Sequence, residues 1–181
     1  KLTVRAGNDD YDWAALKNLL GKAVTVHVYA NHAVVTAPGD PAELRQRVLN
    51  HDPALRINSS GDTIEIFKEA GLPAQVIDRF GVRSLKGTHA LGHTRMATES
   101  AVTTGHSHPF STGEDLCLVH NGSLSNHNRL RNTLRKRGTE FATDNDSEVA
   151  AAYTVWPMPN GPTPETALQN PSTELRRLKR K

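Results

Sequence analysis

The sequence predicts an α+β fold, and three observations carry that expectation. Helical and strand periodicities alternate along the chain, the first 68 residues read in the order β-α-β-β-α-β, and the helix ends are marked by aspartate caps and glycine stops. At 181 residues the chain suits one domain, or one domain with a sizeable insertion, and it can bury a real core.

Residues 2–6 read as a short strand. "YDWAALKNLLG" reads as a helix with Trp13, Leu16, Leu19 and Leu20 on one face and Gly21 as its stop. "AVTVHVYANHAVVTAP" gives two strands about a tight turn near Ala30-Asn31. "DPAELRQRVLN" opens with Asp40 as cap and Pro41 in the first turn. "TIEIFKE", residues 63–69, alternates apolar with polar residues and predicts a strand, either the last of this unit or the first of the next sheet. "LPAQVIDRFGV" is a short helix ended by Gly81, and "GTHALGHTRMA" contains a strand running into a loop. "DLCLVHNGSLS" is a strand that ends at Asn-Gly. "NHNRLRNTLRKRG" is an amphipathic helix with Leu130 and Leu134 inward, a basic outer face and Gly138 as its stop. "TDNDSEVAAAY" starts another helix behind several cap residues. Residues 156–171 hold five of the ten prolines and read as irregular or disordered.

Composition narrows the function classes. No apolar run approaches a membrane span and the first residues lack an apolar signal core, so the expectation is a soluble, cytoplasmic protein that does not engage a membrane. The net charge is +3, but the last ten residues carry five of the 22 basic residues, and the remainder is almost neutral at 17 basic against 18 acidic. A solvated terminus accounts for that tail, and no nucleic-acid partner is expected. One cysteine, Cys117, excludes an internal disulfide.

Several residues fit no ordinary structural pattern. Six of the nine histidines (His89, His93, His106, His108, His120 and His127) fall within 89–127, and the pairs His89/His93 and His106/His108 have spacings that a metal ion accepts. No acids stand at matching intervals, and the reading favours histidines that orient loops, with no metal and no cofactor. Cys117 sits between Leu116 and Leu118 and reads as a small core residue rather than a nucleophile. Asn121-Gly122 is either a hairpin turn or an oxyanion hole, in which a side-chain amide and a glycine N–H converge on one oxygen. Arg95 is either a surface ion-pair residue or a two-pronged clamp for a carboxylate. Asp144 and Asp146 either cap a helix or receive an ammonium group. Taken together, these groups supply what an α-amino acid with a side-chain amide needs.

In this order "GHTRMAT", "HPF", "LVHNGSLSNHNRLR" and "DNDSEVAA" resemble the glutaminase domain of class II glutamine amidotransferases, from about Thr63 to Tyr153. The opening region is most similar to the amidotransferase subunits related to glutamate synthase and N-methylglutamate synthase. The resemblance implies an N-terminal-nucleophile (Ntn) hydrolase fold, a four-layer α/β/β/α sandwich, incomplete in this chain and carrying a small α+β insertion. It divides the chain into an insertion over 1–60, an amidotransferase core over 61–155 and an irregular, Pro-rich and basic tail over 156–181. The implied substrate is L-glutamine, and the implied partner is a synthase subunit that accepts the ammonia in a hetero-oligomer. The resemblance also assigns roles. Arg95 holds the glutamine α-carboxylate, and Thr98 lines the loop that closes over the substrate. His108 helps to fix that loop, and Asn121 and Gly122 form the oxyanion hole. Asp146 binds the α-ammonium, with Asp144 as second choice.

Two departures qualify it. Met96 and Glu99 differ from the residues usual in the loop that Thr98 lines. The family's nucleophile is a cysteine at the mature amino terminus, whereas residue 1 here is lysine. The expectation is therefore that the chain lacks its first portion, that its Pro-rich end is also incomplete, and that by itself it does not hydrolyse glutamine. The alternative expectation is a non-catalytic relative serving assembly or regulation.

Overall fold

The computed structural model describes residues 1–94 and 102–155, which fall into two compact units, Lys1–His120 and one that begins at Asn121. The class is α+β with antiparallel sheets. In the first unit, β1 (Leu2–Arg5), α1 (Trp13–Leu20), β2 (Thr25–Tyr29), β3 (His32–Thr36), α2 (Pro41–His51) and β4 (Arg56–Ser60) follow in chain order. The sheet order is β2-β3-β1-β4, all antiparallel, which is the split β-α-β arrangement of ferredoxin-like folds.

The predicted cap Asp40 accepts the N–H of Ala42 at 2.8 Å, and Asp12, which the sequence reading did not single out, accepts that of Ala15 at 2.9 Å, each satisfying a donor that the first helical turn leaves open. Arg47 of α2 donates to the carbonyl of Leu20 at 2.6 Å and so closes the end of α1. One sheet face carries Leu2, Val4, Ala33 and Val35, packed on Trp13, Leu16 and Leu20 of α1 and on Leu44 and Val48 of α2. Leu19 corrects the sequence reading: it is 55% exposed, because it lies about 60° round the helix from Leu16 and about 100° from Leu20, on the side away from Trp13.

The other sheet face holds the second correction. Residues 63–69 form no strand, and the fourth strand is β4 at 56–60, in a polar stretch that carries little alternation. Segment 64–67 lies against the sheet through side-chain anchors instead of a ladder. Ile66 N–H donates to Thr3 Oγ1 at 3.2 Å, Asn58 Nδ2 to the carbonyl of Ile66 at 3.2 Å, and Ser59 Oγ to Thr3 Oγ1 at 2.9 Å. The alternation Ile64/Ile66 therefore records one apolar side, not pairing. Phe67 and Phe80 close over buried His32, with ring centroids 6.0 Å and 4.7 Å from its imidazole.

His32 Nδ1 donates to Asn31 Oδ1 at 2.8 Å, while its buried Nε2 meets no hydrogen-bond partner among the described residues. Its pKa falls from 6.5 to about 4, first by desolvation and then by the Arg5 charge, with Arg79 and Lys68 adding and Glu69 opposing. Between those values the unfolded chain takes up a proton that the folded chain refuses. Stability is full above pH 6.5 and declines as pH falls toward 4, by on the order of 3 kcal/mol. A His32→Gln variant is expected to show a flatter decline over that window in denaturant midpoints. An unchanged slope contradicts the assignment.

After α3 (Pro73–Arg79), Gly81 at φ 58° turns the chain into one short 3-10 turn, Val82–Ser84. The strand expected in 87–97 is absent over 87–94, where the chain is largely exposed, and 95–97 lie outside the described residues. A two-stranded hairpin, β5 (Phe110–Gly113) and β6 (Leu116–Leu118), follows; β5 lies in a stretch without a strand pattern, and β6 ends before the Asn-Gly pair. The hairpin turn is locked to the end of β4. Asp115 (φ 51°) accepts the N–H groups of Asp62, Thr63 and Ile64 at 2.8, 2.8 and 3.0 Å and the Thr63 hydroxyl at 2.9 Å. Desolvation pushes its carboxyl upward, but those four donors outweigh it and hold the group well below the usual carboxylate range.

The second unit contains α4 (His127–Arg135) and α5 (Asp146–Val155), with Leu130 and Leu134 packed on Val149, Ala152 and Tyr153. The basic outer face expected of α4 is incomplete, because Arg131 is buried. No described helix is long and apolar enough to cross a membrane.

Candidate active site

In the first unit the "GHT" and "HPF" segments meet. The His93 and His108 ring centroids lie 4.3 Å apart, and His108 stands edge-on to Phe110 at 5.1 Å. Lys68 covers the other part of this cluster, its ammonium 4.4 Å from the Phe110 ring centroid and 3.4 Å from the carbonyl of Gly105. Glu69 accepts the Thr104 hydroxyl at 2.6 Å, so residues 68–69 fasten the 103–110 segment at two points. Thr103 Oγ1 and His106 Nδ1 lie 2.6 Å apart in the same turn.

In the second unit the "NGSL" and "DNDSE" segments meet at Leu124 and Asp146. Asn121 and Gly122 are exposed and run toward α4 rather than joining two strands, so the hairpin-turn reading of Asn-Gly is set aside. Two residues further on, the N–H of Leu124 donates to Asp146 Oδ2 at 2.6 Å, and the carbonyl of Leu124 accepts from His127 Nδ1 at 2.8 Å. Asp146 is the first residue of α5, where the N-terminal end of the helix favours negative charge. It is not the cap, since Asn145 Oδ1 takes the N–H of Ser147 at 2.8 Å. Asp144 is exposed in the loop before the helix.

Two buried charges shape that loop. Arg131 Nη1 donates to the carbonyl of Thr143 at 2.5 Å and Nη2 to that of Asn145 at 3.0 Å. Glu148 Oε1 accepts the N–H of Ala142 at 2.8 Å, and Oε2 accepts the N–H and hydroxyl of Thr143 at 2.8 and 2.6 Å.

The structure thus brings Asp146 to the Asn121-Gly122 loop within one unit and His108 to His93 within the other. Arg95 and Thr98, with Met96 and Glu99, lie outside the described residues. Cys117 corrects the core assignment. It is half-buried in the short strand β6, and desolvation raises its thiol pKa. Among the described residues no three His, Cys, Asp or Glu side chains gather as a metal site. Sequence reasoning missed Arg131 and Glu148, and weighed His93 only as one of a possible metal-binding pair with His89. For Glu148 a signal existed, since an acid three residues after a helix cap is the spacing that returns a carboxylate to upstream N–H groups.

Comparison with known proteins decides the family. Residues 75–158 match the glutamine amidotransferase domain described by one family model. This region is a glutamine amidotransferase domain. A glutamine amidotransferase-like protein, GlxB of Rhizobium meliloti, is 51% identical over 165 residues, 89% of this chain and 55% of its own length. A Methanothermobacter thermautotrophicus protein, provisionally named a glutamine amidotransferase, is 38% identical over 65% of the chain and 39% of its own length. A glutamine–fructose-6-phosphate aminotransferase of Thermococcus kodakarensis is 31% identical over 70% of the chain and 21% of its own length. The chain thus spans about half, or less, of the curated relatives it matches. No solved structure matches it significantly. The amidotransferase match covers His93, His108, Asn121, Gly122 and Asp146, while the sheet formed by β1–β4 precedes it.

Proposed function

We propose that the chain forms the glutamine-binding part of a class II glutamine amidotransferase of Ntn-hydrolase architecture, releasing ammonia from L-glutamine for a partner synthase in the cytoplasm. Residues 1–60 serve as an insertion, 61–155 as the amidotransferase core and 156–181 as a tail. Arg95 grips the α-carboxylate, and Thr98 lines the loop above it. His108, packed on His93 two residues before Arg95, fixes that loop. Asn121 and Gly122 donate to the oxyanion, and Asp146 receives the α-ammonium, with Asp144 nearby. The observation that carries this reading is the 2.6 Å hydrogen bond from Leu124 N–H to Asp146 Oδ2, which ties the "DNDSE" carboxylate to the "NGSL" loop.

Thiolate attack on the glutamine amide carbon would give a tetrahedral oxyanion, which collapses to a glutamyl thioester with loss of ammonia; water then releases glutamate. The sequence offers one thiol, Cys117, and its raised pKa and half-burial are the opposite of an activated nucleophile. In this reading Cys117 is not the nucleophile, and residues 1–181 alone are expected to release no ammonia. In the full-length protein, Cys117→Ser is expected to leave ammonia release from glutamine within about twofold of the unsubstituted rate. Loss of turnover in a folded Cys117→Ser protein, or glutamine turnover by residues 1–181 alone, contradicts the assignment.

A further inference from the structure

We infer that Arg131 and Glu148 are positioning residues for the ammonium-binding carboxylate, acting through the 142–146 loop. This rests on the reading of Asp146 given above. Both side chains are buried, at 6% and 7% exposure, and a buried charge is tolerated only where hydrogen bonds replace its water. Their hydrogen bonds converge on one short stretch of backbone. Glu148 holds the N–H groups of Ala142 and Thr143, and Arg131 holds the carbonyls of Thr143 and Asn145, the residues on either side of Asp144.

The clasp extends to the helix start. The Thr143 hydroxyl donates to Glu148 and in turn accepts the N–H of Asn145 at 3.2 Å, and Asn145 caps α5 at Ser147. Asp146 is thus the first residue beyond a loop whose donors and acceptors are fixed from both sides. Its Oδ2 accepts from Leu124, while among the described residues its Oδ1 meets the Ser147 hydroxyl at a long 3.4 Å. Apolar packing of α4 on α5 would not by itself set the direction of each peptide unit in this loop.

The bonding pattern selects the residue types. A lysine at 131 is a single point charge and cannot span two carbonyls as the planar guanidinium does. A glutamine at 148 offers one acceptor oxygen and turns an amide NH2 toward a backbone N–H. Arg131→Lys and Glu148→Gln keep size and polarity, yet each removes half of the clasp.

The test compares two ligands on the full-length protein by calorimetry: L-glutamine, and glutaramate, which is glutamine without its α-ammonium. Both variants are expected to bind glutamine about tenfold to a hundredfold more weakly, the range that a misplacement of about 1 Å produces, and glutaramate within about twofold of the unsubstituted protein. Hydrogen exchange in the unsubstituted protein is expected to show slow amides at Ala142 and Thr143 that speed up in Glu148→Gln. Equal weakening of both ligands, an unchanged preference for glutamine, or fast exchange at those amides in the unsubstituted protein overturns the inference. If the unsubstituted protein does not prefer glutamine to glutaramate, the ammonium role of Asp146 falls, and this inference falls with it. If it does, and the variants do too, the inference fails alone.

Discussion

Asn121→Ala in the full-length protein is expected to lower kcat for glutamine by about 10²–10³, with KM changed only a few fold. The negative charge on the former amide oxygen develops in the tetrahedral state, and a donor fixed in advance stabilises that state more than the bound substrate. Asn121 is exposed in the loop whose Leu124 peptide is fixed to Asp146, so the amide rests on an anchored backbone. Steady-state ammonia release checks this directly. An equal kcat in the variant removes Asn121 from the oxyanion hole, and a rise in KM alone makes it a substrate-binding residue.

Gly61→Ala is expected to destabilise the protein by about 3 kcal/mol or more in denaturant unfolding. Gly61 sits at φ 142°, a conformation that side chains disfavour, and an added Cβ would lie 2.5 Å from both the backbone nitrogen and Cγ of Asp115. Relief requires moving the carboxylate that holds residues 62–64, which in turn loosens the β5–β6 hairpin. Gly39→Ala is the control. Its φ is 99°, but a Cβ there meets nothing within 4 Å, so it is expected to cost only the backbone strain, about 1–2 kcal/mol. Equal losses at the two positions would show that the Asp115 contact contributes nothing.

The elements most legible in the sequence are those whose stability is local. α1 announces itself by the Leu16/Leu20 spacing and the Gly21 stop, α2 by Asp40 and Pro41, and the β2–β3 turn by Ala30-Asn31. The strands failed where tertiary contacts override pattern. Residues 56–60 pair with β1 despite the polar run "RINSS", because its polar side chains find partners there: Ser59 Oγ donates to Thr3 Oγ1 and Asn58 Nδ2 to the carbonyl of Ile66. Residues 63–69 alternate well but find side-chain anchors in place of a ladder. At the site, the motif residues stood out because an arginine, an Asn-Gly pair and an acidic cluster fit no packing rule. Arg131 did not, since an arginine beside a leucine stripe reads as a solvated face until its carbonyl partners are known.

The central claim is that Asn121, Gly122 and Asp146 face one glutamine molecule. The most direct measurement is a titration of isotope-labelled full-length protein with L-glutamine, followed through the amide resonances of these three residues by NMR. All three are expected to shift with a single dissociation constant shared with the Arg95 amide, and to lose that response when Asp146 is replaced by asparagine. Saturable glutamine binding that leaves the Asn121, Gly122 and Asp146 resonances unmoved contradicts the account.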